Sequence, residues 1–435
     1  MREKLSSRLG FLMLAAGSAV GLGNVWRFPY VVGENGGAAF VLVYLFFLII
    51  LGFPLLAVEL GIGRGAGKSL AAALGALAPV RYSAHWRRIG IMLSSGCFVL
   101  MIYYTDVSGW LLKYAYDYFT FSPPEDPVSA YPALCSNWKV CTSFLFLAIG
   151  LSTSVCLLGV VKGVERVTKW MMLSLLALLI VLAIKSLTLS GAAQGLAFYL
   201  KPDWAKFMEH PWRAVFAAMG QAFFTLSLGI GSMTICASYV GKDHSLVKET
   251  GLIILIDTFV AIISGLVIFP ACATYDIAYT SGPGLIFVAL PRVFQQMPCG
   301  VIWGAAFFLF LALAALTTVV AVFECLIAGL MDLRGMSRKS ASIFVGIGVA
   351  VFSLPCVFSA DVLKWEDFAV SQLWLPIGAL IQGIFVVNAS LGWGWENFRV
   401  AVSAGQGFKM PNFLKWHYLV AIPILILIVL IGGFF

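Results

Sequence analysis

Two glycine-rich interruptions break an otherwise apolar chain: GSAVGLGNVWRFP at residues 17–29 and TLSLGIG at 225–231. Glycines let a helix unwind at both places. Unwound backbone at membrane depth cannot be satisfied by lipid, so it must face protein or a water-filled cavity. Its freed carbonyls then suit a hard cation, and the amides opening the next half-helix suit a carboxylate. Asn24 and Thr225 add side-chain oxygens beside the two breaks, and Asp257 lies deep in LIDTFVAII. Thr317 and Thr318, in ALAALTTVVAVFE, add two hydroxyls, although either can bond back to its own helix. An oxygen set without a His or Cys cluster suits Na⁺ and gives no support for a transition metal.

Other ionisable residues fall inside apolar runs, where charge is costly and functional by default. Arg27 follows the first break and Asp367 opens a late apolar run, so the two are expected to close the outer side. Glu59 is expected to cap interrupted backbone. Glu324 and Asp106 receive no assignment, and Arg2 and Asp332 sit at the expected cytoplasmic edge.

These residues need helices to hold them. The chain has 435 residues, 61% hydrophobic and 11% charged. Soluble domains carry about a quarter charged residues, so the expected class is an all-α polytopic membrane protein. Apolar runs of membrane-spanning length fall near 8–33, 37–64, 87–118, 141–160, 164–189, 212–240, 246–275, 299–331, 341–357, 366–392 and 415–434, eleven in all. Segment 281–297 is too apolar for a solvated loop and reads as a short helix over the outer mouth. The net charge of +8 reflects topology rather than a nucleic-acid partner. Residues 2–8, 64–88, 162–169, 242–248, 334–339 and 399–415 hold 19 of the 28 Lys and Arg. They recur in every second connection, which places them, and the N-terminus, in the cytoplasm. An odd count puts the C-terminus outside. The basic start leads into Trp26 and Arg27 rather than a small-residue cleavage site, so no cleaved leader is expected. The nine cysteines show no metal spacing. Cys135 and Cys141 lie on a predicted outer loop, where they either pair or remain thiols.

The breaks fall in the first and sixth segments, five segments apart. Gly-interrupted helices at matching positions point to a transporter of inverted repeats, here about 8–189 and 212–392 with an additional helix at 415–434.

GSAVGLGNVWRFPYVVGENGGAAFVLVY, FPLLAVELGIGR and GQAFFTLSLGIGSMTICASYV together resemble the neurotransmitter:sodium symporter family, in its bacterial amino-acid branch. The similarity runs from about residue 2 through the tenth segment. It implies the LeuT-type 5+5 inverted-repeat fold with discontinuous helices 1 and 6, and no enzymatic activity. It further implies sodium-coupled import of neutral, hydrophobic or aromatic L-amino acids across a bacterial inner membrane. A sensor without flux and a channel are the competing readings.

By this resemblance one sodium site uses the Ala19 carbonyl, Asn24, Thr225, Asp257 and the substrate carboxylate. The second uses carbonyls of Gly17, Val20 and Ala314 with the hydroxyls of Thr317 and Thr318. The substrate carboxylate meets the amides of Leu22 and Gly23 and the Tyr104 hydroxyl, beside Gly21 and Ala19. Its ammonium faces Phe224, Thr225 and Ser227. Leu100, Tyr104, Phe224, Ile230, Thr318 and Val322 line the side-chain pocket. Arg27 with Asp367 resembles the outer gate and Tyr104 with Phe224 its lid. Arg2 with Asp332, near Ser238 and Tyr239, resembles the inner gate.

Four departures sharpen the reading. Gly21 stands where amine-carrying members have Asp, which leaves room for a substrate carboxylate. Asp257 replaces a neutral residue of chloride-dependent members, so no chloride requirement is expected. The chain has eleven expected segments where many members have twelve. Leu5 replaces the usual Trp of the inner gate.

Overall fold

The computed structural model describes residues 3–278 and 282–432, so Arg2 lies outside the described residues. The first segment is a broken pair, α1 (Arg8–Ala19) and α2 (Gly23–Glu34), bent by 55°. Ser7 caps α1 by accepting the Gly10 amide at 3.0 Å, as an N-cap serine should. Then follow α3 (Ala38–Ala66), α4 (Ser83–Phe119), α5 (Trp138–Leu157) and α6 (Val160–Leu187). The second half opens with α7 (Pro211–Thr225) and α8 (Ser232–Ser238). It continues with α9 (Leu246–Thr274), α10 (Gly300–Arg334), α11 (Arg338–Phe358) and α12 (Ala360–Val387), and ends with α13 (Leu414–Gly432).

Among the described residues, nine helices are long and apolar enough to cross a membrane, ten with α1–α2 as one span. The sixth of the eleven expected segments is interrupted as expected, into two short helices, α7 and α8, separated by residues 226–231. Neither half reaches the length of a span. The expected short outer helix is Leu285–Gln296. Its Phe287 stacks on Tyr131 and packs against Tyr114 of α4 and Phe308 of α10.

These helices are apolar all round, so rotation is set by which faces pack rather than by an apolar stripe. In α10, 78% of the most apolar stretch is buried, against 22% in α13. Helix α10 is therefore central, while α13 and the half-exposed sides of α5 and α6 carry the side chains that lipid would cover. Glycines permit the closest approaches. A Cβ on Gly378 of α12 would lie 2.1 Å from the Gly229 carbonyl oxygen, so α12 is pressed against the α7–α8 break.

Candidate functional site

Both breaks face each other beside α10. In α1–α2 the chain leaves the helix at Val20 (ψ 107°) and rewinds from Gly23 as a wide π turn. In α7–α8, Ser227, Gly229 and Gly231 take positive φ (49°, 98° and 95°), conformations that strongly favour glycine at the last two. Glu59 of α3 satisfies the amides thus released. It accepts from Gly229 at 2.6 Å, Gly231 at 3.3 Å and Met233 at 3.2 Å, which is the capping role read from the sequence.

Asn24, Thr225 and Asp257 form one buried cluster. Asn24 Nδ2 donates to Asp257 Oδ1 at 2.8 Å, to the Asp257 carbonyl at 3.1 Å and to Thr225 Oγ1 at 3.0 Å. Thr225 Oγ1 donates to Asp257 Oδ2 at 2.9 Å, and Asn24 Oδ1 accepts the Gly21 amide at 3.1 Å. A carboxylate, an amide oxygen and a hydroxyl beside unwound backbone form a hard-donor set that fits Na⁺.

A second constellation gathers around Thr318. Its Oγ1 lies 3.2 Å from each of the carbonyl oxygens of Gly17, Val20 and Ala314. Thr317 Oγ1 donates to Ala314 at 2.9 Å, the bond to its own helix that its position permits. All five residues expected here are thus adjacent, and their oxygens too suit a hard cation.

Between the breaks is a cavity of about 20 Å³ bordered by Ala19, Gly21, Leu22, Gly23, Leu100, Tyr104, Phe224, Ser227, Thr318 and Leu375. The Leu22 amide donates to the Tyr104 hydroxyl at 3.2 Å. A Cβ on Gly21 would come within 2.6 Å of that hydroxyl and 2.8 Å of Thr318 Oγ1. Ile230 and Val322, expected as lining, do not border this cavity. Ile230 follows the positive-φ turn at Gly229 and packs on Gly96 of α4, while Val322 is buried one turn beyond Thr318 on α10. Leu375, which borders it, was not anticipated; a leucine in an apolar helix carries no sequence signal. Gln221, whose Nε2 donates to the Gly23 carbonyl at 2.9 Å, was also missed, although a Gln within an apolar run was a signal.

Leu22, Tyr104 and Phe224 also floor a larger vestibule of about 500 Å³, bordered further by Arg27, Asp106 and Asp367. The Arg27 guanidinium lies 4.6 Å from the Phe224 ring centre, a cation–π contact. No ion pair within 4.0 Å joins Arg27 to Asp367, so the two residues expected as the outer gate stand apart on the vestibule wall. Cys135 and Cys141 border the vestibule as free thiols.

On the opposite side, polar ties join the chain start to the helix ends. The Leu5 amide donates to the Tyr239 carbonyl, Ser6 and Ser7 bond Glu165, and Arg8 pairs with Glu249 at 2.9 Å. Tyr239 donates its hydroxyl to Glu324, which Arg338 engages through two bonds of 2.8 Å. Asp332 accepts from the Ser69 amide and hydroxyl at 2.7 and 2.8 Å, and Ser238 bonds its own helix at Ile235. The expected contact of Asp332 with Arg2 lies outside the described residues.

Comparison with known proteins gives a consistent picture. The family model described as "Sodium:neurotransmitter symporter family" matches residues 2–131 and 135–435. The sodium-dependent transporter YhdH of Bacillus subtilis is 33% identical over 98% of this chain and 96% of its own length. A sodium-dependent transporter of Haemophilus influenzae is 31% identical over 100% of this chain and 98% of its own. The sodium- and chloride-dependent GABA transporter 2 of Bos taurus is 27% identical over 97% and 78%. The crystal structure of MhsT in complex with L-phenylalanine superposes with a TM-score of 0.88, at 36% identity and with full coverage of both chains.

Proposed function

The chain belongs to the sodium:neurotransmitter symporter family, and from that premise we propose that it imports neutral, hydrophobic or aromatic amino acids with Na⁺, without requiring chloride. One observation carries this reading: at Gly21 any side chain would press on the Tyr104 hydroxyl and Thr318 Oγ1, beside the Leu22 amide that donates to that hydroxyl. An acidic side chain at position 21 would crowd these groups and repel a carboxylate. Glycine leaves both donors to a substrate that brings its own carboxylate. Leu100, Phe224 and Leu375 supply apolar wall, and among the described residues no charged side chain borders the cavity, which supports a neutral cargo. L-Phenylalanine bound to the related MhsT agrees in class.

Asn24, Thr225 and Asp257 would hold one co-transported sodium against the substrate carboxylate, so neither ligand has a full set of partners without the other. Gly17, Val20, Ala314, Thr317 and Thr318 would hold a second. The fixed charge of Asp257 supplies what chloride supplies elsewhere in the family. A ligand shifts a conformational equilibrium only by its differential affinity for the two states. Joint occupancy therefore favours a form with the vestibule sealed, and sodium loss on the far side frees the amino acid. Arg27 and Asp367 would then meet above Phe224, while the Leu5–Tyr239 and Glu324–Arg338 ties part below. One charge crossing 100 mV releases about 2.3 kcal/mol and a tenfold gradient adds about 1.4 kcal/mol. One Na⁺ thus supports roughly 500-fold accumulation of a zwitterion and two roughly 10⁵-fold. The reading also takes residues 8–189 and 212–392 as the two repeats, the N-terminus as cytoplasmic and the C-terminus as external.

Uptake into proteoliposomes driven by a sodium gradient tests it, with labelled phenylalanine, tryptophan, leucine, lysine and glutamate in chloride and in gluconate. Saturable uptake of the first three in both salts is expected. Dominant lysine or glutamate uptake would overturn the neutral-cargo reading, and loss in gluconate the chloride reading.

A further inference from the structure

Glu59 accounts for the amides of the α7–α8 break, but its carbonyls need donors of their own. Three successive carbonyls each receive one side chain from a different helix. Gln382 Nε2 of α12 donates to Gly229 at 2.9 Å. Cys97 Sγ of α4 lies 3.3 Å from the Ile230 oxygen, and Cys325 Sγ of α10 lies 3.4 Å from that of Gly231. Both thiols are fully buried, and their sulfurs are 3.7 Å apart. Each carries a single proton. With Cys97 donating to Ile230 and Cys325 to Gly231, neither carbonyl lacks a donor and the sulfurs merely touch.

We propose that Cys97 and Cys325 are positioning residues for transport: a pair of deliberately weak donors that hold the carbonyl side of the α7–α8 break against α4 and α10. The amide side of the break is held by a charged carboxylate, the stronger kind of hydrogen bond. Past the Gln382 amide at Gly229, the next two carbonyls are held by thiols, the weakest donors among the side chains. A break gripped firmly at its amides and at Gly229, and lightly at Ile230 and Gly231, has a defined place to release when α8 shifts relative to α4 and α10. Packing alone does not require this chemistry, since alanine or valine would fill buried space without a donor. The cysteines are 228 residues apart in sequence, and only the fold brings them to neighbouring carbonyls.

The inference rests on the transport reading above, so its test includes a readout independent of transport. Hydrogen–deuterium exchange across residues 226–233 would be measured in the full-length protein for Cys97→Ala, Cys325→Ala and the corresponding Ser variants. Sodium and phenylalanine half-saturation would be measured in the same set. Cys156→Ala is the control. Cys156 is likewise fully buried, and its thiol is 3.8 Å from the Val320 oxygen, away from the break. Loss of a modest hydrogen bond predicts exchange faster by about fivefold in either Ala variant, with half-saturation raised by a similar factor. Serine, which keeps a donor, is expected to recover most of both shifts, and Cys156→Ala to leave both at wild-type values. Unchanged exchange in the Ala variants, serine as defective as alanine, or an equal effect from Cys156→Ala would each overturn the proposal. An absence of uptake by the wild type would instead overturn the transport reading and leave the exchange comparison to decide the role of the thiols.

Discussion

The Asn24 side-chain amide donates to Asp257 Oδ1 at 2.8 Å, joining the first break to a carboxylate on α9. This pair fixes the charge of the proposed first sodium site. Asp257→Asn keeps the shape and removes the charge, so the sodium half-saturation should rise about tenfold, equivalent to ~1.4 kcal/mol. Uptake should also become stimulated by chloride. Sodium titrations of uptake in chloride and gluconate measure both effects. A variant that stays indifferent to chloride, with normal sodium affinity, would detach Asp257 from ion coupling.

Thr317 and Thr318 are adjacent in sequence, but only Thr318 reaches across to α1, at Gly17 and Val20. Thr317 bonds Ala314 of its own helix. Thr318→Ala should therefore weaken apparent sodium affinity about fivefold, on the scale of one hydrogen bond of ~1 kcal/mol, and more than Thr317→Ala does. Equal effects, read from sodium titrations at saturating amino acid, would mean that the cross-helix contacts carry no binding role.

The breaks, the Glu59 cap and the oxygen cluster were legible because each rests on residue types that lipid penalises: glycine runs, a buried carboxylate, hydroxyls in apolar helices. The cavity wall was less so. Leu375 borders it and Ile230 does not, a distinction set by helix rotation and by the turn at Gly229. A helix apolar on every side leaves no periodic trace of that rotation. The Glu324–Arg338 pair was hidden for another reason. Glu324 was conspicuous, but its partner looked like one more cytoplasmic arginine. The interruption of the sixth segment was legible at TLSLGIG, but not that it leaves two helices too short to span alone.

Gly21→Ala tests the close approach at position 21 that carries the functional reading. Its methyl would sit 2.6 Å from the Tyr104 hydroxyl and 2.8 Å from Thr318 Oγ1, so one of them must move. Overpacking of this kind costs about 1–3 kcal/mol, which predicts amino-acid affinity lower by roughly tenfold to a hundredfold. Isothermal titration with phenylalanine in sodium buffer reads it directly. Unaltered affinity would show that the substrate carboxylate lies elsewhere.

Glu59→Gln keeps one acceptor oxygen and points an NH₂ group at the amides of Gly229, Gly231 and Met233. The loss of a charge-assisted cap should destabilise the protein by about 2–3 kcal/mol. Thermal unfolding in detergent should show the drop even without sodium or substrate, because the cap belongs to the break itself. A ligand-free melting temperature equal to wild type would mean that the break is held without Glu59.

Asp106 presents the opposite case. It is 1% exposed on the wall of the vestibule, and neither carboxylate oxygen has a hydrogen-bond partner among the described residues. An unpartnered buried polar group costs about 1–3 kcal/mol, and a charged one more. Asp106→Leu, with the adjoining vestibule to accommodate its extra volume, should therefore raise thermal stability by about 1 kcal/mol or more. A stabilised variant would identify Asp106 as a residue whose burial the fold tolerates at the expense of stability. A destabilised variant with impaired sodium-driven uptake would show instead that the carboxylate gains a partner from the vestibule during the cycle.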